Sequence, residues 1–185
     1  MKIHHALLGV LVSTTIMGSG FAYAKDVMVG GAAMSDGKTI AENAPNAKNL
    51  TTLVAAVKAA GLVETLNGPG PFTVFAPTNA AFEKLPKGTV EMLLKPENKE
   101  KLKEILLYHV VPAKATSTAA MKMIKDDGGA HMAKTAEGES LTLKTSGGKL
   151  TVTDASGGTA TVTQADVLQK NGVVHVIDRV LMPKM

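Results

Sequence analysis

The sequence predicts an α+β fold, with helices in its first half and a run of antiparallel strands in its second. An apolar stripe at the helical spacing i, i+3, i+4, i+7 runs through residues 49–60. Residues 140–145 instead alternate between apolar and polar side chains, as a half-buried strand does. Two further runs of strand-forming residues, 72–76 and 173–181, place one strand in each half. The elements do not alternate as βαβ units, so a parallel α/β sheet is not predicted.

Two longer helices are predicted. The first spans 49–60, with Asn49 as its N-terminal cap and Gly61 at its C-terminal end. The second begins at Pro96, a residue suited to the first helical position, and ends before Pro112. Each helix presents one apolar face, formed by Leu50, Leu53, Val54 and Val57 in the first and by Leu102, Ile105, Leu106 and His109 in the second.

The strand over 72–76 ends at Pro77, and Thr78 or Asn79 can cap the short helix that follows. The last strand, 173–181, is apolar at both odd and even positions, which is typical of a central strand. The remaining predicted elements are a helical turn or two at 89–94, a short helix at 117–125 and a strand at 159–163. Turns are predicted at 146–148 and 154–158, and the strand alternation continues between them at Leu150 and Val152.

Composition indicates one ordinary domain. The chain has 185 residues, of which 45% are hydrophobic, and it has no cysteine, so its core must form without disulfides. Subtracting 16 acidic from 20 basic side chains gives a net charge of +4. The lysines alternate with glutamates and form no basic block, so nucleic-acid binding is not predicted.

The N-terminus has the layout of a secretory signal peptide. Lys2 precedes an apolar run over 6–12, and Ala22 and Ala24 provide small residues around a cut after position 24. The apolar run is too short for a membrane-spanning anchor. We therefore expect a signal peptide over 1–24, a flexible leader over 25–36 and one domain over 37–183, located in the periplasm or outside the cell.

No set of catalytic residues is evident. The nucleophile would have to be serine or threonine, and no Gly-x-Ser-x-Gly elbow occurs. Asp178 lies three residues after His175 and therefore on the opposite face of the predicted strand, so the two cannot form a dyad. His109 and His175 lie in apolar surroundings, which predicts two hydrogen-bonded structural histidines. We expect a protein without enzymatic activity or cofactor.

Met121, Met123, His131 and Met132 form an alternative candidate site. Thioether sulfur and imidazole nitrogen are ligands suited to copper(I). Methionines also fill irregular gaps in ordinary cores, so a structural role remains open for these residues. A periplasmic copper or small-ligand binding protein is the alternative function.

Three separated segments carry a resemblance to a known family. Residues 73–79 with Phe82, the pair Tyr108-His109, and residues 172–178 resemble, in this order, the motifs of the fasciclin (FAS1) domain. The resemblance covers about 39–183 and is closest to small, single-domain secreted bacterial members. It implies a compact seven-stranded β-wedge or sandwich with several helices packed at one side.

The same resemblance implies adhesion to a protein outside the cell or at its surface, by a protein that we expect to be a monomer. In adhesive animal members, the Tyr-His region and an Asp-Ile pair engage integrins. Tyr108 and His109 stand at the first position, and Asp166-Val167 at the second, with valine in place of isoleucine. An integrin is not expected as the native partner of a bacterial protein, so we carry over the surface and not the ligand.

Overall fold

The computed structural model describes residues 26–184, so the predicted signal peptide lies outside them. The strands are β1 (Val27–Val29), β2 (Ala32–Met34), β3 (Phe72–Pro77), β4 (Val110–Val111), β5 (His131–Lys134), β6 (Ser140–Ser146), β7 (Lys149–Thr153), β8 (Thr159–Gln169) and β9 (Gly172–Ile177). The α-helices are α1 (Ile40–Asn43), α2 (Thr51–Ala60), α3 (Val63–Asn67), α4 (Asn79–Glu83), α5 (Thr89–Leu93), α6 (Lys99–Tyr108) and α7 (Ser117–Asp126). Short 3₁₀ helices cover Ala44–Asn46 and Pro96–Asn98.

Seven strands form one sheet in the order β4-β3-β9-β8-β7-β6-β5. Its centre is the parallel pair β3 and β9, aligned from Phe72 opposite Gly172 to Pro77 opposite Ile177, and every other pair is antiparallel. The backbone N–H of Ala136, just after β5, donates to the carbonyl of Val110 in β4 over 2.7 Å. The two outer strands therefore meet, and the sheet is nearly closed.

The β3–β9 pairing brings two backbones into close contact at one end. A Cβ atom on Gly70 would overlap the carbonyl oxygen of Asn171, and one on Gly172 would overlap that of Phe72. Only glycine fits at either position, because each neighbour is backbone and cannot turn away. The Asn171-Gly172 turn between β8 and β9 is thus also the point where β3 and β9 begin to pair.

The segment predicted as a flexible leader forms regular structure in its described part. β1 and β2 pair as a hairpin, with Val29 and Met34 buried against the main core. The side-chain amide of Gln164 donates to the carbonyl of Met28 over 2.8 Å and fastens the hairpin to β8. The prediction of a leader without regular structure is therefore corrected, because its few apolar residues have a core to cover.

Helix α2 ends as predicted but is capped differently at its start. Gly61 adopts a left-handed conformation with φ 71° and closes the helix. Asn49 does not cap the helix, since the N-cap position is Leu50, which makes no side-chain capping bond. The amide oxygen of Asn79 instead accepts from the N–H of Thr52 over 3.0 Å. The cap thus comes from another element.

Two further caps fix the helices to the sheet. The Thr78 hydroxyl accepts from the N–H of Ala81 at the start of α4, as the sequence predicted. The side chain of Asn171, in the β8–β9 turn, accepts from the N–H of Ile40 and donates to the carbonyl of Leu66. One residue therefore ties both α1 and α3 to the start of β9.

Alternating residues of the central strands separate two cores. Val74 and Val174 point toward the helices and join the larger core beneath α1 to α6. Phe75 and Ile177 point into the nearly closed sheet and join a second core with Leu141. The α+β prediction, with seven strands and helices packed against them, is confirmed.

The observed strands differ from the predicted ones at their ends and where the strand pairing is irregular. β8 extends to Gln169 rather than stopping at Thr163, because two register shifts between Val162 and Val167 conceal its continuation. The last strand ends at Ile177 and not at position 181. Within residues 26–184, no helix combines the length and apolar character needed to cross a bilayer.

Candidate functional site

Tyr108 ends helix α6 and is completely buried. Its hydroxyl donates to the carbonyl of Ser140 over 3.3 Å and accepts from the N–H of Ala155 over 2.9 Å. Burial raises the pKa of the phenol above its usual value. The side chain joins α6 to β6 and to the β7–β8 turn, and it does not reach the surface.

His109 follows directly and is also buried. The N–H of Leu181 donates to its Nε2 over 2.9 Å, so this nitrogen carries no proton. Nδ1 therefore carries the proton and donates to the carbonyl of Ile105 over 2.7 Å. Burial lowers the pKa of His109 from 6.5 to about 4, so the ring is neutral. Both nitrogens are occupied, and neither is free to accept a substrate proton.

His175, in the middle of β9, holds the opposite tautomer. Its Nδ1 accepts from the N–H of Asp166 over 3.3 Å, and its Nε2 donates to the carbonyl of Ala115 over 2.8 Å. The ring stacks on Phe75 with 5.7 Å between the ring centres. Burial lowers the pKa of His175 as well. The two histidines are satisfied structural residues, as the sequence predicted.

Asp166 lies at the irregular part of β8 and adopts a left-handed backbone with φ 57°. Aspartate tolerates this conformation better than most side chains. Its carboxylate accepts from the backbone N–H of Ser117 over 2.6 Å and from the hydroxyl of the same residue. A carboxylate at the N-terminus of α7 also interacts favourably with the positive end of the helix dipole. Asp166 thus anchors α7, while Val167 is buried in the larger core.

These contacts converge on the loop that joins β4 to α7. The Thr73 hydroxyl, in β3, accepts from the N–H of Ala115 over 2.8 Å and donates to the carbonyl of Ala113. With the bonds from His175 and Asp166, the loop is held at residues 113, 115 and 117. The outer part of the loop, 112–114, is exposed. Side chains from three strands therefore hold this loop at residue 113 and just after it. We call its exposed part the 112–114 loop.

The 112–114 loop borders a cleft of about 380 Å³. Lys114 lies on one side, and Lys170 and Asn171 from the β8–β9 turn also line it. Both lysines are exposed, and neither forms an ion pair with any residue between 26 and 184. The remaining lining residues are Thr39, Asn67, Gly68, Pro69, Gly70, Pro71, Gln169 and Gly172.

Three of the four residues predicted to contact a partner are buried in this structure. Tyr108, His109 and Val167 are 0%, 2% and 1% exposed, so they cannot touch a partner in this structure. This corrects the expectation that these side chains form the binding surface. The sequence did not identify Thr73, which holds the loop, or Lys114, which lines the cleft. Thr73 resembles any other threonine in a strand. Lys114 could be recognised only by its position two residues before Thr116, the N-cap of α7.

The alternative copper ligands do not converge. Met121 and Met123 lie two positions apart in α7 and so point about 200° from each other. His131 and Met132 are neighbours in β5 and face opposite sides of the sheet. His131 pairs with the Asp127 carboxylate over 2.6 Å. Within the described part of the chain, no three His, Cys, Asp or Glu side chains could hold one ion.

Comparisons with known proteins agree with the architecture. The fasciclin domain family model matches residues 48–183. Protein sll1483 of Synechocystis sp. is 51% identical over 161 residues, covering 87% of this chain and 82% of that protein. Immunogenic protein MPB70 of Mycobacterium bovis is 38% identical over 149 residues, covering 78% of this chain and 68% of that protein.

The fold also matches a solved structure. A FAS1 domain pair from the insect cell adhesion molecule Fasciclin I aligns with a TM-score of 0.71 at 20% identity, covering 78% of this chain and 51% of that chain. At this identity the likeness concerns the fold alone. The family model, in contrast, spans most of the sequence, including all three motif segments. The chain belongs to the fasciclin domain family.

Proposed function

We propose that this protein is an exported, non-enzymatic interaction module that binds a protein or surface partner outside the cytoplasm as a monomer. Membership of a family found in adhesion proteins supports this proposal. The single observation that carries it is the 112–114 loop, which Thr73 holds at residue 113. The residues just after the loop, 115 and 117, are held by His175 and Asp166. A loop that is ordered before binding loses little conformational entropy when the partner arrives.

The charge of the cleft indicates the partner's chemistry. Lys114 and Lys170 leave the cleft with two unpaired ammonium groups, and Lys38 lies close by because its carbonyl accepts from the N–H of Lys170. Glu42 is a nearby carboxylate, and its bonds to Thr39 lower its pKa, with smaller contributions from the charges of Lys170 and Lys38. Positive charges remain in excess, so we assign an acidic segment or acidic surface group as the partner.

Export is supported by the sequence of residues 1–24, which has the three parts of a signal peptide. The absence of cysteine is compatible with an oxidising compartment, because the two packed cores need no disulfide. Immunoblotting of cytoplasm, periplasm and culture medium tests this part of the proposal. Full-length protein confined to the cytoplasm would contradict it.

The binding surface is tested by charge reversal. Lys114→Glu and Lys170→Glu each change the net charge by two units, and so does the control Lys144→Glu on the exposed face of β6. Sedimentation with cell-envelope fragments of the source organism measures the bound fraction. We expect a loss of about threefold or more for the two cleft variants and none for the control. Equal binding by all three variants would remove the cleft from the interaction.

A further inference from the structure

A second cavity lies between the helices and the sheet, and Gln169 lines both this cavity and the cleft. It has a volume of about 80 Å³. Its floor is formed by Val74, Val167 and Val174 from the three central strands, and its walls include Leu53 of α2 and Leu62 before α3. The cavity therefore sits inside the larger core, where α1, α2 and α3 do not close completely over the sheet.

The wall of this cavity is almost entirely carbon. The three polar side chains that reach it from the interior already have partners. Asn43 donates to the carbonyl of Ser35 over 2.7 Å and to the side chain of Gln169, and His109 uses both ring nitrogens. Within the described chain, the one buried side-chain oxygen or nitrogen without a partner is Oδ1 of Asn49, which does not line the cavity. Such a cavity holds no stable water and favours an apolar occupant.

The cavity has an entrance with a positive charge. Pro45, Lys58 and Thr65 line it and are also exposed, so it reaches the surface between α2, α3 and the 3₁₀ turn after α1. Lys58 is the charged residue among the lining side chains, and it forms no ion pair within residues 26–184. An occupant that combines an aliphatic chain with an anionic end would match both parts.

We propose that this cavity binds a short aliphatic carboxylate, with the chain inside and the carboxylate beside Lys58. The volume is about half of the roughly 150 Å³ that accommodates benzene in an engineered cavity, so a linear chain of about four to six carbons fits better than a ring. Each methylene that enters should raise the affinity about fourfold. The gain should stop once the cavity is full.

The test uses the full chain with ¹³C-labelled Leu and Val methyl groups and a series of butanoate, hexanoate and octanoate. We expect shifts of the methyl signals of Val74, Val174 and Leu53, and an affinity that rises about fourfold per methylene up to hexanoate and then levels off. Absence of shifts at 50 mM hexanoate, or shifts confined to surface methyl groups, would overturn the proposal.

Four variants separate the contribution of the apolar cavity from that of the Lys58 charge. Ala41→Leu fills the cavity from α1 and should abolish hexanoate binding, while its melting temperature shows that it folds. Lys58→Gln should weaken hexanoate about two- to fivefold and leave hexanol unchanged, and the control Lys48→Gln, which does not line the cavity, should change neither. Unchanged hexanoate binding by Ala41→Leu or by Lys58→Gln would contradict the assignment. Lys114→Glu should bind hexanoate normally, so this proposal and the cleft proposal fail independently.

Discussion

At the scale of single residues, the two buried histidines show how a hydrogen-bond partner decides protonation. In each ring, one nitrogen accepts a hydrogen bond from a backbone N–H and therefore carries no proton. The donor is the N–H of Leu181 for Nε2 of His109 and the N–H of Asp166 for Nδ1 of His175. The other nitrogen must then carry the proton. Two histidines of the same chain thus hold opposite tautomers, and both join segments that are distant in the sequence.

Replacing His175 with alanine should lower the melting temperature by about 6–12 °C. The change leaves the carbonyl of Ala115 and the N–H of Asp166 buried without partners, which costs about 3 kcal/mol in total. Differential scanning calorimetry measures the effect. His131→Ala is the matched control, since this partly exposed histidine forms a surface pair and should change the melting temperature by about 2 °C or less. A His175 variant as stable as the control would contradict the role assigned to the ring.

Acidification should destabilise the fold through the same residues. The pKa of His109 is about 4 when folded and 6.5 when unfolded, so between these values the unfolded chain binds a proton that the native chain does not. The stability of the fold that depends on a neutral His109 is complete above pH 6.5 and is lost as the pH falls toward 4. At pH 5 the loss from His109 is about 2 kcal/mol.

Urea denaturation at pH 7 and pH 5 measures this loss. His175 contributes in the same direction, because burial lowers its pKa too. His109→Gln should reduce the difference between the two pH values, since glutamine does not titrate. A wild-type free energy of unfolding that is the same at both pH values would refute the prediction.

At the scale of helices and strands, the helices are fixed at their ends by side chains from elsewhere. Asn79 caps α2, Asn171 contacts both α1 and α3, and Asp166 holds the start of α7. Each contact satisfies backbone groups that a helix cannot pair internally. Asn79, Asn171 and Asp166 therefore connect the helices to the rest of the fold.

Asn79→Ala should reduce the free energy of unfolding by about 1–2 kcal/mol and expose the first turn of α2. Urea denaturation gives the stability, and amide exchange at Thr52 reports the local effect. Asn79→Asp keeps the accepting oxygen and should recover part of the loss. As a control, Asn46→Ala removes an exposed asparagine and should cost about 0.5 kcal/mol or less. Unchanged exchange at Thr52 in the alanine variant would show that Asn79 is not the cap.

The sequence predicted local features well because their causes lie within a few residues. Thr78 caps the helix that it immediately precedes, and Gly61 ends the helix that it follows. The cap of α2 could not be predicted, since Asn79 is 27 positions from the amide that it accepts from. Likewise, nothing in the pair Tyr108-His109 distinguishes an exposed recognition motif from a buried one. The burial of Tyr108 depends on Ser140 and Ala155, more than 30 positions away.

At the scale of the whole molecule, the parallel pair β3–β9 organises everything else. These strands are about a hundred positions apart in the sequence, and their alternating side chains face two different cores. The larger core contains the apolar cavity, and the turn before β9 forms part of the cleft. Both proposed binding sites thus depend on one pairing, although they open at different places and differ in polarity.

The hydrogen bond between Ala136 and Val110 affects how readily two copies of the molecule can pair through their strands. An unpaired outer strand is a template on which a second molecule can add its own strand, and such additions lead to fibrils. Here the two outer strands turn toward each other, and β4 is only two residues long. A neighbouring molecule therefore finds few unpaired backbone groups at the outer strands of the seven-stranded sheet, so recognition there depends on side chains.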